Sequence, residues 1–198
     1  MNKKIIIIDV DDVVVENHHF PIINKYLEKI GKPTFKDTSG FRTNSIRKEV
    51  FKTPEELNDF VDFFLQFDSY EKLNSILGAI EAVKHLNGVH DVYLVTASLF
   101  NQRTVEMGRC MVDKLRWITT HLPFLHIDKI IFSSKKHLFN ADVIIDDKID
   151  NLCGNYKTKI LFTAFLNKHI AREELDKAGI VRADNWDEVI RIINEGNE

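Results

Sequence analysis

The sequence predicts an α/β protein, a Rossmann-like doubly wound parallel sheet with a small helical segment inserted after the first strand. Three observations carry this. Short β-branched apolar runs recur without polar alternation, helical patterns lie between them, and one long stretch near the start carries no strand signal. Unbroken apolar runs suit strands covered on both faces, as in a parallel sheet. Strands that alternate with helices imply crossover units.

The strand signals are residues 4–8, 92–95, 130–132, 143–145 and 159–162. Helices are expected over 79–86, over 105–121, where Met107, Met111, Leu115 and Ile118 share helical spacing, and over 186–193. Residues 16–75 read as helices. Within them Thr53-Pro54-Glu55-Glu56 forms a capping box with proline at the first helical position. Of the 14 phenylalanines, eight fall in this stretch: Phe20, Phe35, Phe41, Phe51, Phe60, Phe63, Phe64 and Phe67. Most of them are expected to form the insertion's own core. The implied division is a core of residues 1–15 and 76–198 and a helical cap of residues 16–75. The cap would lie over the carboxyl edge of the sheet, where open α/β sheets bind ligands.

At 198 residues the chain is long enough for one domain with an insertion. With 44% hydrophobic and 29% charged residues it is a globular composition, not a disordered one. The net charge of −3 is mixed along the chain, and no basic block marks a nucleic-acid partner. No apolar run reaches the ~18 residues of a membrane span. Only four isoleucines follow Met1-Asn2-Lys3-Lys4 before Asp9, too few for a secretory signal, so a cytoplasmic protein is expected. Cys110 and Cys153 fit no metal spacing and make no disulfide framework.

Four strand ends carry chemistry. The first apolar run meets Asp9, Asp11 and Asp12. Three carboxylates so close repel one another unless something compensates, and a hard cation such as Mg²⁺ does so. A carboxylate there can also attack phosphorus. A solvated acidic turn is the plainer alternative. The second run ends in Thr96-Ala97-Ser98, a hydroxyl and backbone N–H set able to hold an anion or simply to cap a helix. Lys135-Lys136 follows the third run, and one of these lysines could neutralise developing charge. Taken alone, they read as a solvated pair. The fourth run ends in Asp146-Asp147, repeating the first pattern. Order and placement make a converging set out of parts that are each weak.

The order Asp9-x-Asp11, Thr96, Lys136, Asp146-Asp147 resembles the motifs of the haloacid dehalogenase-like phosphatases. More narrowly, it resembles the 5′(3′)-deoxyribonucleotidases. Lys114-Leu115-Arg116-Trp117 is similar to that family's K-x-x-W helix, and Leu161-Phe162-Thr163-Ala164 with Asn167 to its "LFTA…N" segment. The resemblance implies a haloacid dehalogenase-like core and a Mg²⁺-dependent phosphatase of deoxyribonucleoside 5′(3′)-monophosphates. Asp9 would be the nucleophile and Asp11 the general acid, then base. Thr96, Ala97, Ser98 and Lys136 would bind phosphate. Asp9, Asp11 (through its carbonyl), Asp146 and Asp147 would hold the metal, with the direct ligand of the last two left open. Mg²⁺ and Lys136 together would keep the Asp9 pKa low. Asn17, Phe20 and Phe41 are the candidate substrate contacts. The partner implied is a small nucleotide or another phosphomonoester, with no membrane and no nucleic-acid polymer. The family also raises a homodimer, on which the residues are silent.

There are departures. Asp12 stands where the family often has a small residue. Asn17, followed by His18, His19 and Phe20, stands where mammalian members place an aromatic. Lys148 replaces an arginine, and a lysine offers no bidentate fork. Trp117 is expected to be core rather than a stacking platform. Substrate preference therefore stays open between a nucleotide and another small phosphomonoester. An idle binding protein would have lost one of the key residues, and none is missing. A receiver-type signalling domain would lack the insertion and the second aspartate two residues on.

Overall fold

A computed structural model describes residues 2–16, 19–36, 50–66, 70, 72–97 and 104–195. Six parallel strands form one sheet: β1 (Ile5–Ile8), β2 (Asp91–Thr96), β3 (Ile130–Phe132), β4 (Ala141–Asp146), β5 (Tyr156–Phe162) and β6 (Val181–Ala183). Their order is β3-β2-β1-β4-β5-β6. This is the doubly wound arrangement, and its strand order reverses between β1 and β4.

Alternate residues of each strand enter opposite hydrophobic clusters. Ile6, Ile8, Val143, Ile145 and Ile160 pack on one face; Ile7, Ile144 and Leu161 pack on the other. Side chains alternate along a strand, so a run with apolar layers on both sides shows no polar alternation. The first face is covered by helices α3 (Ala79–Val89), α4 (Thr104–His121) and α6 (Trp186–Glu195). The short α5 (Arg172–Lys177) contributes Leu175 to the second.

After β1 the chain runs through α1 (His19–Lys29) and α2 (Pro54–Phe64). Their apolar faces make a separate cluster of Ile22, Ile23, Tyr26, Leu27, Phe51, Phe60, Val61, Phe63 and Phe64. Phe51 stacks on Phe60 at 4.6 Å between ring centroids. The expected phenylalanine core therefore holds for Phe51, Phe60, Phe63 and Phe64, while Phe41 and Phe67 lie outside the described residues. Half of the capping box forms as expected, with Glu56 N donating to Thr53 Oγ1 at 3.2 Å. The other half shifts by one residue. The Glu56 carboxylate accepts from Lys52 N at 2.8 Å and from Lys32 Nζ at 2.9 Å.

The outgoing and returning chains are tied side by side. Glu16 N donates to Asn74 O at 3.0 Å and Ile76 N to Val14 O at 2.8 Å. Both tryptophans pin this crossing through their indole N–H groups. Trp117 bonds Leu73 O and Trp186 bonds Val13 O, each at 2.9 Å. Trp117 is buried core, as expected. The returning chain turns into α3 at Gly78, whose φ of +79° favours glycine. None of the described helices is long and apolar enough to cross a membrane.

Candidate active site at the reversal point of the sheet

Pairing between β1 and β4 continues one residue past β1, with Asp9 N bonding Ile145 O at 2.9 Å. The backbone then winds into a tight turn, and Val10 O accepts from the amides of Val13, Val14 and Val15. Those three valines are fully buried, which anchors the acidic turn to the core. Asp12 takes a φ of +61°. Aspartate is among the few non-glycine residues that enter the left-handed region readily, so the departure at position 12 suits the local backbone.

Asp9, Thr96, Lys136, Asp146 and Asp147 are all buried. Lys136 Nζ lies 2.7 Å from Asp9 Oδ1 and also bonds Asp146 Oδ2. Lys135, its neighbour, is exposed, so the solvated reading fails for Lys136 alone. Tyr156 holds the Lys136 carbonyl at 2.6 Å. That ring lies against Gly154, where any Cβ would come within 2.4 Å of it.

The paired aspartates part company here. The Asp146 carboxylate accepts from Lys136, from Lys148 N at 2.9 Å and from Asn151 Nδ2 at 2.9 Å. Asp147 Oδ1 is buried with no hydrogen-bond partner, and Lys148 Nζ stands 3.9 Å away. Oxygens of Asp9, Asp146 and Asp147 lie within 4.8 Å of one another. Burial raises the pKa of Asp9, outweighing the opposing charge of Lys136, with Asp146 adding to the rise. Burial likewise raises Asp147 well above the usual carboxylate range. Lys136 thus acts on Asp9 in the expected direction, but its charge alone does not exceed desolvation. For Lys136, burial pulls the pKa down, but Asp9 and Asp146 push it up and prevail. Lys148 is raised as well, chiefly by Asp147. An orphaned buried oxygen beside two further carboxylates suits a hard divalent cation, and a set with no sulfur or imidazole suits Mg²⁺.

The Asp11 carboxylate does not join this group. It accepts from Lys114 Nζ at 2.5 Å and from the Tyr70 hydroxyl. Lys114 also bonds Thr96 Oγ1 and Ala97 O, each at 3.0 Å. Sequence reasoning missed Tyr70 and noted Lys114 only as part of the K-x-x-W resemblance, without a role in the site. One signal for Lys114 was available. It sits three residues before Trp117, and the buried stripe of α4 runs through Lys114, Trp117 and Ile118, while Met111 and Leu115 are only half-buried. Nothing in the sequence marks Tyr70. Asn167 was noted only as part of a resembling segment. It donates to Asp147 O at 2.8 Å and Phe162 O at 2.7 Å and accepts from Arg182 at 3.1 Å.

Among the other expected site residues, Phe20 is half-buried on α1 and meets Phe165 edge-on at 5.0 Å. Asn17, Phe41 and Ser98 lie outside the described residues.

The fold and the carboxylate–lysine edge define a haloacid dehalogenase-like hydrolase, and solved structures agree on the fold. A haloacid dehalogenase-like hydrolase from Streptococcus pneumoniae superposes with a TM-score of 0.66 at 15% identity, covering 96% of this chain and 98% of that one. A magnesium-bound hydrolase of the same superfamily from Bacillus subtilis superposes with a TM-score of 0.55 at 16% identity, covering 98% of this chain and 100% of that one. Residues 3–196 match the family model for "5' nucleotidase, deoxy (Pyrimidine), cytosolic type C protein", and the chain belongs to that family. A 5'(3')-deoxyribonucleotidase of Bacillus subtilis is 28% identical over 191 residues, 96% of this chain and 98% of that protein. A cytosolic-type human 5'(3')-deoxyribonucleotidase is 31% identical over 124 residues, 60% of this chain and 59% of that one.

Proposed function

We propose that this protein is a Mg²⁺-dependent phosphatase of deoxyribonucleoside 5′- or 3′-monophosphates working through a phosphorylated Asp9. The observation that carries the reading is the buried Lys136 held between Asp9 and Asp146, beside an Asp147 oxygen that accepts no hydrogen bond. Family membership and the names of the relatives direct it to nucleotides.

In this reading Asp9 attacks phosphorus while the bond to the ribose oxygen breaks. Asp11 protonates that oxygen, then takes a proton from the water that frees phosphate and regenerates Asp9. Lys136 spends two N–H groups on Asp9 and Asp146, and its third is directed to a phosphate oxygen. Thr96, with the backbone of residues 97 and 98, receives the phosphate. Asp9, Asp147 and the Asp11 carbonyl would hold Mg²⁺, with Asp146 orienting Lys136 beside it. The cation supplies charge neutralisation for two anions that must meet.

The division into a core of residues 1–15 and 76–198 and a cap of residues 16–75 is part of this proposal. The separate phenylalanine cluster and the paired crossing support it. Asn17, Phe20 and Phe41 are the proposed cap contacts to sugar and base. A cytoplasmic site of action is proposed from the cytosolic-type relative. Lys148 favours a second reading on the same chemistry, a non-nucleotide phosphomonoester, because it replaces a bidentate arginine with a point charge.

Phosphate release from dUMP, dTMP, UMP and several sugar phosphates, with Mg²⁺ or with EDTA, tests both. Metal-dependent release from deoxynucleotides that is lost in Asp9→Asn is the expected result. Release from sugar phosphates alone would move the substrate, and undiminished turnover by Asp9→Asn would overturn the mechanism.

A further inference from the structure

Burying an ammonium group is costly unless every donor finds an acceptor. Lys114 is 2% exposed, and it meets that condition with nothing to spare. Its three N–H groups match three acceptors: Asp11 Oδ2 at 2.5 Å, Thr96 Oγ1 at 3.0 Å and Ala97 O at 3.0 Å. Lys136 differs, since its two carboxylate partners leave one donor for an incoming anion. The two buried lysines of this edge therefore have separate tasks. Lys136 is placed to meet phosphate, and Lys114 is fully engaged by the protein.

What Lys114 engages are the groups assigned to the acid step and to the phosphate. The Asp11 carboxylate is held at both oxygens, by Lys114 at Oδ2 and by the Tyr70 hydroxyl at Oδ1. Tyr70 also lies beneath the lysine, with Nζ 5.4 Å from its ring centroid. Such a carboxylate has lost its rotational freedom before substrate arrives. The effect on Thr96 is one of hydrogen-bond direction. An ammonium has no lone pair, so the threonine oxygen must be the acceptor in that bond. Its own proton is thereby left for another acceptor, which an oxygen of the substrate phosphate supplies.

We infer that Lys114 is a positioning residue that fixes, in one contact set, the carboxylate serving the leaving group and the hydroxyl serving the phosphate. This rests on the phosphatase reading above. Tyr70 is its partner on the Asp11 side only. The balance of the reaction is unchanged: the proton still passes from Asp11 to the ribose oxygen, and Lys114 keeps all its protons.

The test compares dUMP with its analogue carrying sulfur in place of the bridging 5′ oxygen. A thiolate leaves without a proton, and the two substrates share every other contact. For Lys114→Met, kcat on dUMP should fall by ~10²–10⁴-fold, the scale of general acid catalysis. The loss in kcat on the sulfur analogue should be much smaller, and KM should rise for both through Thr96. Lys114→Arg should recover part of the dUMP rate. Tyr70→Phe keeps the ring, guards against a Lys114→Met protein that fails to fold, and should lower only kcat on dUMP. Equal losses on both substrates in these variants would overturn the inference while leaving the phosphatase intact. A wild-type protein inactive on both, and on the sugar phosphates as well, would overturn the phosphatase reading and this inference together.

Discussion

The two ends of strand β4 carry the same pair of residue types under opposite conditions. At its start Asp142 binds Lys157 Nζ at 2.7 Å, and the lysine side chain is 83% exposed. At its end Asp146 binds Lys136, and both side chains are almost wholly buried. Water screens the first pair, and the hydrogen bond from Lys157 leads the lowering of the Asp142 pKa. The second pair sits among carboxylates that desolvation pushes the other way. A buried cluster of this kind stabilises a fold poorly, because removing charges from water costs as much as pairing them returns. Its persistence at one edge of the sheet points to chemistry rather than to stability.

Lys136→Met should break this contrast most severely. Removing one partner strands Asp9 and Asp146, and breaking buried pairs of this sort costs about 3–5 kcal/mol. Urea unfolding should show that loss, and phosphate release should drop by ~10²–10³-fold or more as a charge-stabilising donor disappears. An unfolding midpoint close to wild type would mean that the buried pair is no different from the exposed one.

Asn167→Ala probes the backbone behind the buried end. It would orphan the carbonyls of Asp147 and Phe162 and the amide of Ala164 and remove one acceptor of Arg182. Unsatisfied buried groups cost about 1–3 kcal/mol, so thermal unfolding should shift downward by a corresponding amount. Asn167→Asp should not rescue it, because a carboxylate cannot donate to the two carbonyls.

At the opposite edge of the sheet His90 is buried, 1% exposed. Its Nδ1 faces Lys4 N at 3.4 Å. Burial lowers its pKa from 6.5, and the charges of Lys4 and His85 lower it further, against Asp142. A lowered histidine pKa means that the unfolded chain takes up the proton first. The contribution is fully present above about pH 6.5 and is lost as pH falls through that value toward the folded pKa. Urea midpoints measured at about pH 8 and about pH 5 should decline toward acid, and His90→Gln should flatten that slope. An unchanged slope in the variant would assign the acid sensitivity elsewhere.

How much of this was legible in the sequence depended on period and polarity. Five strands could be read because both of their faces are apolar. The missed β6 is three residues, Val181–Ala183, with an arginine at its centre. That Arg182 is nearly buried because it bonds the carbonyls of Asn167 and Ile170, which no pattern of spacing reveals. The missed α5 spans six residues, too short to establish a period. In the site, Asp9, Asp146 and Asp147 announced themselves as carboxylates ending apolar runs. Lys114 and Tyr70 reach Asp11 across 103 and 59 positions of chain, and contacts of that separation follow from topology alone. The order of Asp146 and Asp147 was undecidable in sequence. In the structure Lys136, Lys148 N and Asn151 occupy the Asp146 oxygens, which is the ground for proposing Asp147 as the metal ligand.

The smallest effect belongs to Lys157→Ala, and it sharpens the comparison from its weak side. The pair with Asp142 is mostly solvated, and such pairs contribute about 0–1 kcal/mol. Asp142 also accepts the Ile5 amide at 2.8 Å, so the carboxylate keeps a partner at the edge of β1 when the lysine is gone. Urea unfolding of Lys157→Ala should therefore stay within about 0.5 kcal/mol of wild type, and added salt should erase even that, since exposed charges are screened over ~10 Å at 0.1 M. Asp142→Ala should cost more than Lys157→Ala, because it removes the amide's acceptor as well as the ion pair. If the two variants were equal, the Coulombic contact would be carrying the amino end of β4, and the distinction between its two ends would be one of burial alone rather than of purpose.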